Sequence, residues 1–192
     1  MYEELCKVAP HNERHILALF SLFGIPDSYI DVGSGIDTMV KTAAKLGVRS
    51  KGIDILDSVV QSNDPPYFHI NHDLNKVYRT KETFDLVTCL EVAEHLEDGK
   101  ALCKTLALLV KLGGILVFTA ATPGQGGIDH ISLRPPSDWR EWLTINGLTY
   151  NRQLTMMLCL IWTNIHSPLG FLSANLQVFT KGSVITKSGI VV

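Results

Sequence analysis

The stretch Ile30-Asp31-Val32-Gly33-Ser34-Gly35 decides the fold, together with Gly52-Ile53-Asp54 further along the chain. A glycine turn follows the first apolar run, and Asp54 ends the second, nineteen residues past Gly35. Glycines let a backbone approach a ligand closely, and an acid ending the second strand accepts hydrogen bonds from ribose hydroxyls. The pattern therefore predicts an open α/β sheet that binds a nucleoside-bearing cofactor.

The third glycine position separates two classes of cofactor. The dinucleotide fingerprint has glycine at positions one, three and six, whereas this chain has Gly33, Gly35 and Thr38 there. Asp37 would also set a carboxylate where the pyrophosphate of a dinucleotide lies, at the start of a helix. S-adenosylmethionine has no phosphate, and its ammonium and sulfonium groups tolerate a nearby acid. The turn therefore favours S-adenosylmethionine over NAD.

Length and composition indicate one globular domain. The chain has 192 residues, of which 46% are hydrophobic, and its formal charge is −2. We expect a single domain over residues 1–181 and a C-terminal tail over residues 182–192. This charge gives no support for nonspecific nucleic-acid binding by the whole chain, although it does not exclude binding through a local basic patch.

Cysteine placement and the N-terminal residues predict an intracellular, cytoplasmic protein. The four cysteines form no C-x-x-C pair, and Cys89 and Cys159 lie in apolar runs, so we expect reduced and mostly buried thiols. The first residues include Glu3 and Glu4 and no apolar leader. The longest apolar run, residues 156–162, is too short to span a bilayer, and we expect no membrane partner.

Alternating strand and helix signals predict a doubly wound α/β sheet. The predicted strands span residues 29–32, 48–54, 67–70, 84–90, 115–119, 148–151 and 176–180. The predicted helices span residues 11–23, 38–46, 98–111, 137–147 and 154–165, with Asp37 or Thr38, Asp98 and Ser137 as N-caps. Spacing alone does not order the last two strands. The glycine-rich loop over residues 120–136 is long for a compact domain, and such loops are usually functional or disordered.

Five elements in order resemble the class I S-adenosylmethionine-dependent methyltransferases. The match runs through residues 29–38 (motif I), 84–96 (motif IV and its extension), 111–119, 126–142 and 175–179. The later portion is similar to small methyltransferases of phages, other viruses and bacteria, whose substrates are mostly unassigned. The resemblance spans residues 11–181 and implies a mostly parallel, seven-stranded, Rossmann-like sheet with helices on both faces.

The resemblance also implies roles in cofactor binding for ten residues. Gly33, Ser34 and Gly35 would form the loop under the methionine part, and Asp31 would hold the ammonium end. Asp54 would take the ribose hydroxyls. The remaining contacts would be Ile55 against the adenine, Asp73 and Leu74 near the adenine edge, and Leu90 and Glu91 beside the cofactor. One departure from the family pattern is Asp37, where the family usually has glycine.

Candidate catalytic residues follow the fourth strand and lie in the long loop. An oxygen or nitrogen acceptor that is protonated at neutral pH needs a base, and methyl transfer otherwise depends on alignment of the acceptor. We expect His130, His95 and Glu94 to supply that chemistry, with Asp129 as a further candidate. The alternative is structural: His95 starts a helix and His130 braces its loop.

A metal-assisted alternative rests on a second resemblance. Glu91, Glu94 and His95 resemble the Glu-x-x-Glu-His arrangement of small-RNA 3′-terminal 2′-O-methyltransferases. Those enzymes coordinate magnesium with a further downstream histidine, for which His130 is the match in this chain. Oxygen ligands suit magnesium, whereas two histidines are unusual for it. We therefore assign no metal ligand from the sequence.

Three functional hypotheses remain open. The leading one is S-adenosylmethionine-dependent methyl transfer to an oxygen or nitrogen acceptor on a small molecule or sugar. The second is an RNA methyltransferase of the 2′-O type, which a basic surface around the pocket and a metal requirement would distinguish. The third is a non-catalytic S-adenosylmethionine-binding module, which the acid at Asp37 keeps open. The acceptor and the oligomeric state are not determined by the sequence.

Overall fold

The computed structural model describes residues 2–56, 67–165 and 169–183, with side chains from residue 11 onward. The helices are α1 (Tyr2–Phe23), α2 (Thr38–Lys45), α3 (Gly99–Leu109), α4 (Pro136–Ile145), α5 (Arg152–Thr163) and α6 (Gly170–Asn175). The strands are β1 (Ser28–Val32), β2 (Arg49–Asp54), β3 (Tyr67–Asn71), β4 (Phe84–Leu90), β5 (Val110–Thr119), β6 (Thr149–Tyr150) and β7 (Gln177–Thr180). A 3₁₀ turn, Ala93–His95, follows β4. Most of the predicted tail, residues 184–192, lies outside the described residues.

The strands form one seven-stranded sheet in the order β3-β2-β1-β4-β5-β7-β6. Strands β1 to β5 pair in parallel, whereas β7 runs antiparallel to both β5 and β6. The predicted doubly wound, mostly parallel sheet is confirmed. Because the order reverses between β1 and β4, the crevice for a ligand lies at the carboxyl ends of these two strands.

Two apolar clusters cover the two faces of the sheet. One contains side chains from α1, α2 and α5, with Leu19, Val40 and Leu158 fully buried. The other contains side chains from α3 and α4, with Leu106 and Trp139 buried. A parallel sheet needs both faces covered, and this explains the mostly apolar sequence of β4.

Several boundaries differ from the predicted ones. The Asp98 cap is confirmed, since its carboxylate accepts from the Lys100 backbone N–H at 3.0 Å. The Ser137 cap is wrong, because α4 begins at Pro136, and proline suits the first turn of a helix. α3 ends at Leu109 instead of residue 111, since Val110 is already extended and pairs with Phe84.

No helix within residues 2–56, 67–165 and 169–183 is both long enough and apolar enough to cross a lipid bilayer.

Candidate active site

The turn after β1 is built on the end of β2. The backbone N–H groups of Gly33 and Ser34 both donate to the carbonyl of Ile53, at 2.7 and 3.1 Å. Gly33 has φ 80°, and a Cβ there would lie 2.2 Å from Cγ2 of Val92. Glycine is therefore required at this position by the neighbouring valine as well as by the turn, a constraint that the sequence pattern did not reveal.

Asp54 fastens this turn from the end of β2. Its Oδ2 accepts from the Gly35 backbone N–H at 2.8 Å, and its Oδ1 accepts from Leu56 at 3.0 Å. An ionised carboxylate has about four acceptor positions, so two bonds leave room for two hydroxyl donors. The geometry is compatible with the predicted ribose contact.

Asp31 lies buried beneath the turn, in a short chain of hydrogen bonds. Thr88 Oγ1 donates to Asp31 Oδ1 at 2.6 Å and contacts the Tyr29 hydroxyl at 2.7 Å. Burial raises the pKa of Asp31 to about 7, and the charges of Asp37 and Asp54 act in the same direction. A cation such as an ammonium group would favour the ionised form and offset that cost.

Asp37 does not occupy the ligand space that the sequence interpretation assigned to it. Its side chain is fully buried, and its carboxylate contacts Nδ1 of His69 at 3.0 Å. The backbone of Asp37 has φ 59°, a left-handed conformation that explains why glycine is usual at this position of the family motif. The carboxylate faces β2 and β3, so it does not exclude a phosphate in the way that the sequence analysis expected.

The predicted adenine contacts are spread along the end of β2 and the segment after β3. Ile55 is largely exposed, at 64%, and is available to cover a ligand. Leu74 is buried in the core cluster on one face of the sheet. Asp73 accepts from the Asn75 backbone N–H at 3.0 Å and pairs with Lys76. Both partners of Asp73 are local, and its contact with the cofactor stays a prediction.

Glu91 is held in an unusual backbone conformation at the exit of β4, directly after Leu90. Its φ of 54° is rare for a residue other than glycine, and strain of this kind often marks functional sites. Its backbone N–H donates to the Thr119 carbonyl at 3.1 Å, and its carboxylate accepts from Asn175 Nδ2 at 3.3 Å. Burial, and then the charge of Glu94, raise the pKa of Glu91 to about 7.

Gln125 and Asn175 are site residues that the sequence analysis missed. Gln125 Nε2 donates to Glu91 Oε2 at 3.4 Å, and Asn175 Nδ2 also donates to Gln125 Oε1 at 2.9 Å. The three side chains come from the β4 exit, the long loop and the end of α6. The position of Asn175 next to the last strand was the available signal, but only the tertiary fold brings it to Glu91.

Glu94 anchors the long loop to the 3₁₀ turn. Its Oε1 accepts from the Ala121 backbone N–H at 3.1 Å, and its carbonyl accepts from Ile131 and Ser132 at 2.9 and 3.0 Å. The side chain is fully buried, and burial raises the pKa of its carboxyl. Oε2 is buried and accepts no hydrogen bond from an N–H group within the described part of the chain, and the carboxyl of Glu91 lies close enough to interact with that of Glu94.

His95 and His130 converge on this carboxylate from two separate segments. Their rings meet edge to face with centroids 5.0 Å apart, and His130 Nε2 lies 4.0 Å from Glu94 Oε1. His95 Nδ1 contacts the Asp129 carbonyl at 3.0 Å. A Cβ on Gly127 would lie 2.1 Å from the His130 ring, so the glycine lets the loop fold onto the imidazole. The structure thus brings all three predicted catalytic side chains together.

These observations define a class of protein. A sheet of this order, a glycine turn after β1 and an acid ending β2 are the framework of the class I S-adenosylmethionine-dependent methyltransferases. A family model described as a methyltransferase domain matches residues 6–153, more than half of the chain. The chain belongs to this methyltransferase family, and S-adenosylmethionine is its cofactor.

The relatives in sequence include bacterial enzymes of ubiquinone biosynthesis. A ubiquinone biosynthesis O-methyltransferase of Coxiella burnetii is 30% identical, and the match covers 62% of each chain. This chain therefore spans less than two thirds of the length of that relative.

Solved structures show the same fold at low identity. An O-methyltransferase from a trans-AT PKS multienzyme of Brevibacillus brevis, in complex with S-adenosyl-L-homocysteine, has a TM-score of 0.61 at 16% identity, covering 89% of this chain and 72% of its own. Human N-acetylserotonin methyltransferase, in complex with SAM, has a TM-score of 0.62 at 17% identity, covering 94% of this chain and 55% of its own.

Proposed function

We propose that the turn after β1 and the end of β2 hold S-adenosylmethionine. Asp54 would accept the ribose hydroxyls, Asp31 would face the ammonium end, and Gly33 to Gly35 would form the loop between them. These two carboxyl groups fit S-adenosylmethionine. Asp54 has hydrogen-bond acceptor positions left, and a cation would stabilise the ionised form of the buried Asp31. Ile55, Asp73, Leu74, Leu90 and Glu91 would complete the site. When bound, the cofactor supplies an electrophilic methyl group on sulfur.

The acceptor in this proposal is a hydroxyl oxygen on a small, largely apolar molecule. Two apolar side chains flank Asp129-His130 in the long loop: Ile128 is 82% exposed and Ile131 is 62% exposed. Arg134 is the one lysine or arginine among residues 120–136. An apolar rim with little positive charge favours a small organic acceptor over a polyanion, and this observation carries the substrate class. The relative named for O-methyl transfer supports oxygen as the acceptor atom.

The proton of the acceptor hydroxyl would go to the cluster at the rim. The carboxylate of Glu94 and the imidazoles of His95 and His130 offer polar atoms within 4.8 Å of one another, a separation that one water can bridge. A phenolic hydroxyl has a pKa of about 10, so a side-chain base can remove its proton far more easily than that of an aliphatic alcohol. Catechol and simple phenols are therefore the first probes.

We expect S-adenosylhomocysteine to bind in the micromolar range, at roughly −8 kcal/mol, and NAD not to bind. Thr38 stands at the start of α2 in place of the third glycine of the dinucleotide fingerprint, which normally lets the helix pack close to the strand beside the pyrophosphate. Isothermal titration of both ligands into the same protein measures this difference. Tighter binding of NAD than of S-adenosylhomocysteine would contradict the assigned site.

A metal-assisted reaction on RNA is the second candidate, and one observation favours it. Ligand atoms of Glu94, His95 and His130 all lie within 4.8 Å of one another. The sequence analysis assigned no metal ligand, whereas the structure brings together three residues that could bind an ion. Glu91 is outside that three-residue group, and its carboxylate is hydrogen-bonded by Asn175 and Gln125.

Binding of Mn²⁺ alone, followed by electron paramagnetic resonance, tests this second candidate. If Glu94, His95 and His130 form a metal site, the parent protein binds Mn²⁺. The Glu94→Gln variant then does not bind the ion, because it lacks the one carboxylate of this cluster. The matched control is Glu97→Gln, which changes an exposed acid three residues further on. Equal binding by both variants would assign the ion to another place and leave the metal-free mechanism.

The third hypothesis, a module without catalysis, loses its main support. It rested on an acid at Asp37 interfering with the cofactor, and that carboxylate faces the sheet instead. A single domain over residues 1–181, a cytoplasmic location and the similarity to phage and viral proteins stay predictions.

A further inference from the structure

A buried acid–imidazole pair joins the cofactor loop to β3. The Asp37 carboxylate contacts His69 Nδ1 through both oxygens, at 3.0 and 3.2 Å. The side chain of Asp37 is fully buried and that of His69 is 5% exposed. A carboxylate only accepts, so Nδ1 of His69 carries the proton. Within the described residues, the imidazole is the one side chain that hydrogen-bonds this carboxylate.

The sheet register leaves a space that suits this pair. Asp31, Gly52 and His69 stand side by side on β1, β2 and β3. A Cβ on Gly52 would lie 2.2 Å from Asp37 Oδ1 and 2.6 Å from Ser34 Oγ. The loop therefore lies directly on a glycine of the middle strand, and the Asp37 carboxylate passes over that glycine to reach His69.

Two side chains of the sheet thus hold the cofactor loop, in addition to the Ile53 carbonyl. Asp54 holds it at Gly35 from β2, and His69 holds it at Asp37 from β3. Removing one partner of a buried hydrogen bond leaves the polar atoms of the other unsatisfied, which is costly, so each partner stabilises the position of the other. We name the pair of Asp37 and His69 the loop latch.

We propose that Asp37 and His69 are positioning residues that keep the cofactor loop in its binding conformation. The proposal rests on the placement of S-adenosylmethionine at this loop, described above. Neither side chain needs to touch the cofactor. When the competent conformation is populated only in part, the apparent dissociation constant rises by the inverse of that population. Loss of the latch should therefore weaken cofactor binding by the folded protein.

Asp37→Gly is the decisive variant. Glycine adopts the left-handed backbone of this position without strain, so the change removes the carboxylate and preserves the turn. We expect S-adenosylhomocysteine to bind about tenfold more weakly, as the loop samples other conformations. Asp37→Asn keeps an acceptor for Nδ1 and tolerates the same backbone, so we expect it to restore most of the affinity.

A double-mutant cycle separates the latch from general stability. If the two side chains act through each other, Asp37→Gly combined with His69→Leu should bind no more weakly than Asp37→Gly alone. His15→Gln is the destabilising control, because His15 is equally buried but contacts His11 and Trp162 far along the chain from the loop. It should lower the melting temperature and leave the dissociation constant unchanged.

Two results would overturn the latch. One is an Asp37→Gly protein that binds S-adenosylhomocysteine as tightly as the parent. The other is additive losses in affinity across the cycle. If the parent protein itself fails to bind S-adenosylhomocysteine, the proposed cofactor site is wrong, and this outcome is distinct from failure of the latch.

Discussion

His130→Ala should lose methyl-transfer activity by about 10²–10⁴-fold and keep the cofactor, because the proposed function assigns this side chain to the acceptor side of the site. The imidazole lies in the long loop, 4.0 Å from the Glu94 carboxylate, whereas the proposed cofactor contacts come from the carboxyl ends of β1 to β4 and the segments that follow them. Transfer of a labelled methyl group from S-adenosylmethionine to catechol and simple phenols measures turnover. Titration with S-adenosylhomocysteine measures the cofactor separately.

The matched control for this variant is His11→Ala, which removes a different histidine, one that lies in α1. It should change neither turnover nor affinity. Normal turnover by His130→Ala on a phenol that the parent protein methylates would rule out the catalytic role. Loss of S-adenosylhomocysteine binding in His130→Ala would instead show that the loop belongs to the cofactor site.

Asp54→Ala should weaken the binding of S-adenosylhomocysteine by roughly 1.5–3 kcal/mol, because it removes charge-assisted hydrogen bonds to the ribose. The structure adds a second cause, since the same carboxylate holds the Gly35 backbone N–H at 2.8 Å. We expect the fold to persist, since the side chain ends a strand and the apolar core is unchanged. Isothermal titration measures affinity, and thermal unfolding checks the fold.

Glu82→Ala is the control for the Asp54 variant. Glu82 also contacts β2, through Arg49 and Lys51, but it is a half-exposed acid away from the carboxyl end of the strand. Its loss should leave the affinity unchanged. An Asp54→Ala protein that binds as tightly as the parent, or one that does not fold, would contradict the role given to Asp54.

Local signals in the sequence predicted the framework well. The boundaries of β4 agree with the apolar run over residues 84–90, because a buried parallel strand needs continuous apolar side chains. Asp98 was identified as an N-cap from its position before a helical pattern, and it caps α3 as expected. The cap is an interaction between neighbours in the chain, and the buried strand is visible in its own hydrophobic residues, so both features appear in the local pattern.

The start of β5 was not predictable in the same way. Residues 110–114 were interpreted as a helix end and a glycine turn, whereas β5 begins at Val110, opposite Phe84. Between Phe84 and Leu86 of β4, the paired residue on β5 moves from Val110 to Ile115. This irregularity depends on the neighbouring strand, and a local pattern carries no record of it.

The sequence by itself determined the class of fold and the residues at the carboxyl ends of the strands, because hydrophobic periodicity and turn chemistry are local properties. It also identified Glu94, His95 and His130 as candidates, since they follow a strand or lie in a long loop. Only the tertiary structure decided their convergence, the contact of Asn175 with Glu91 across 84 positions, and the direction of Asp37 toward His69. Each of these depends on strand order and register, and those are decided by packing between residues far apart in the chain.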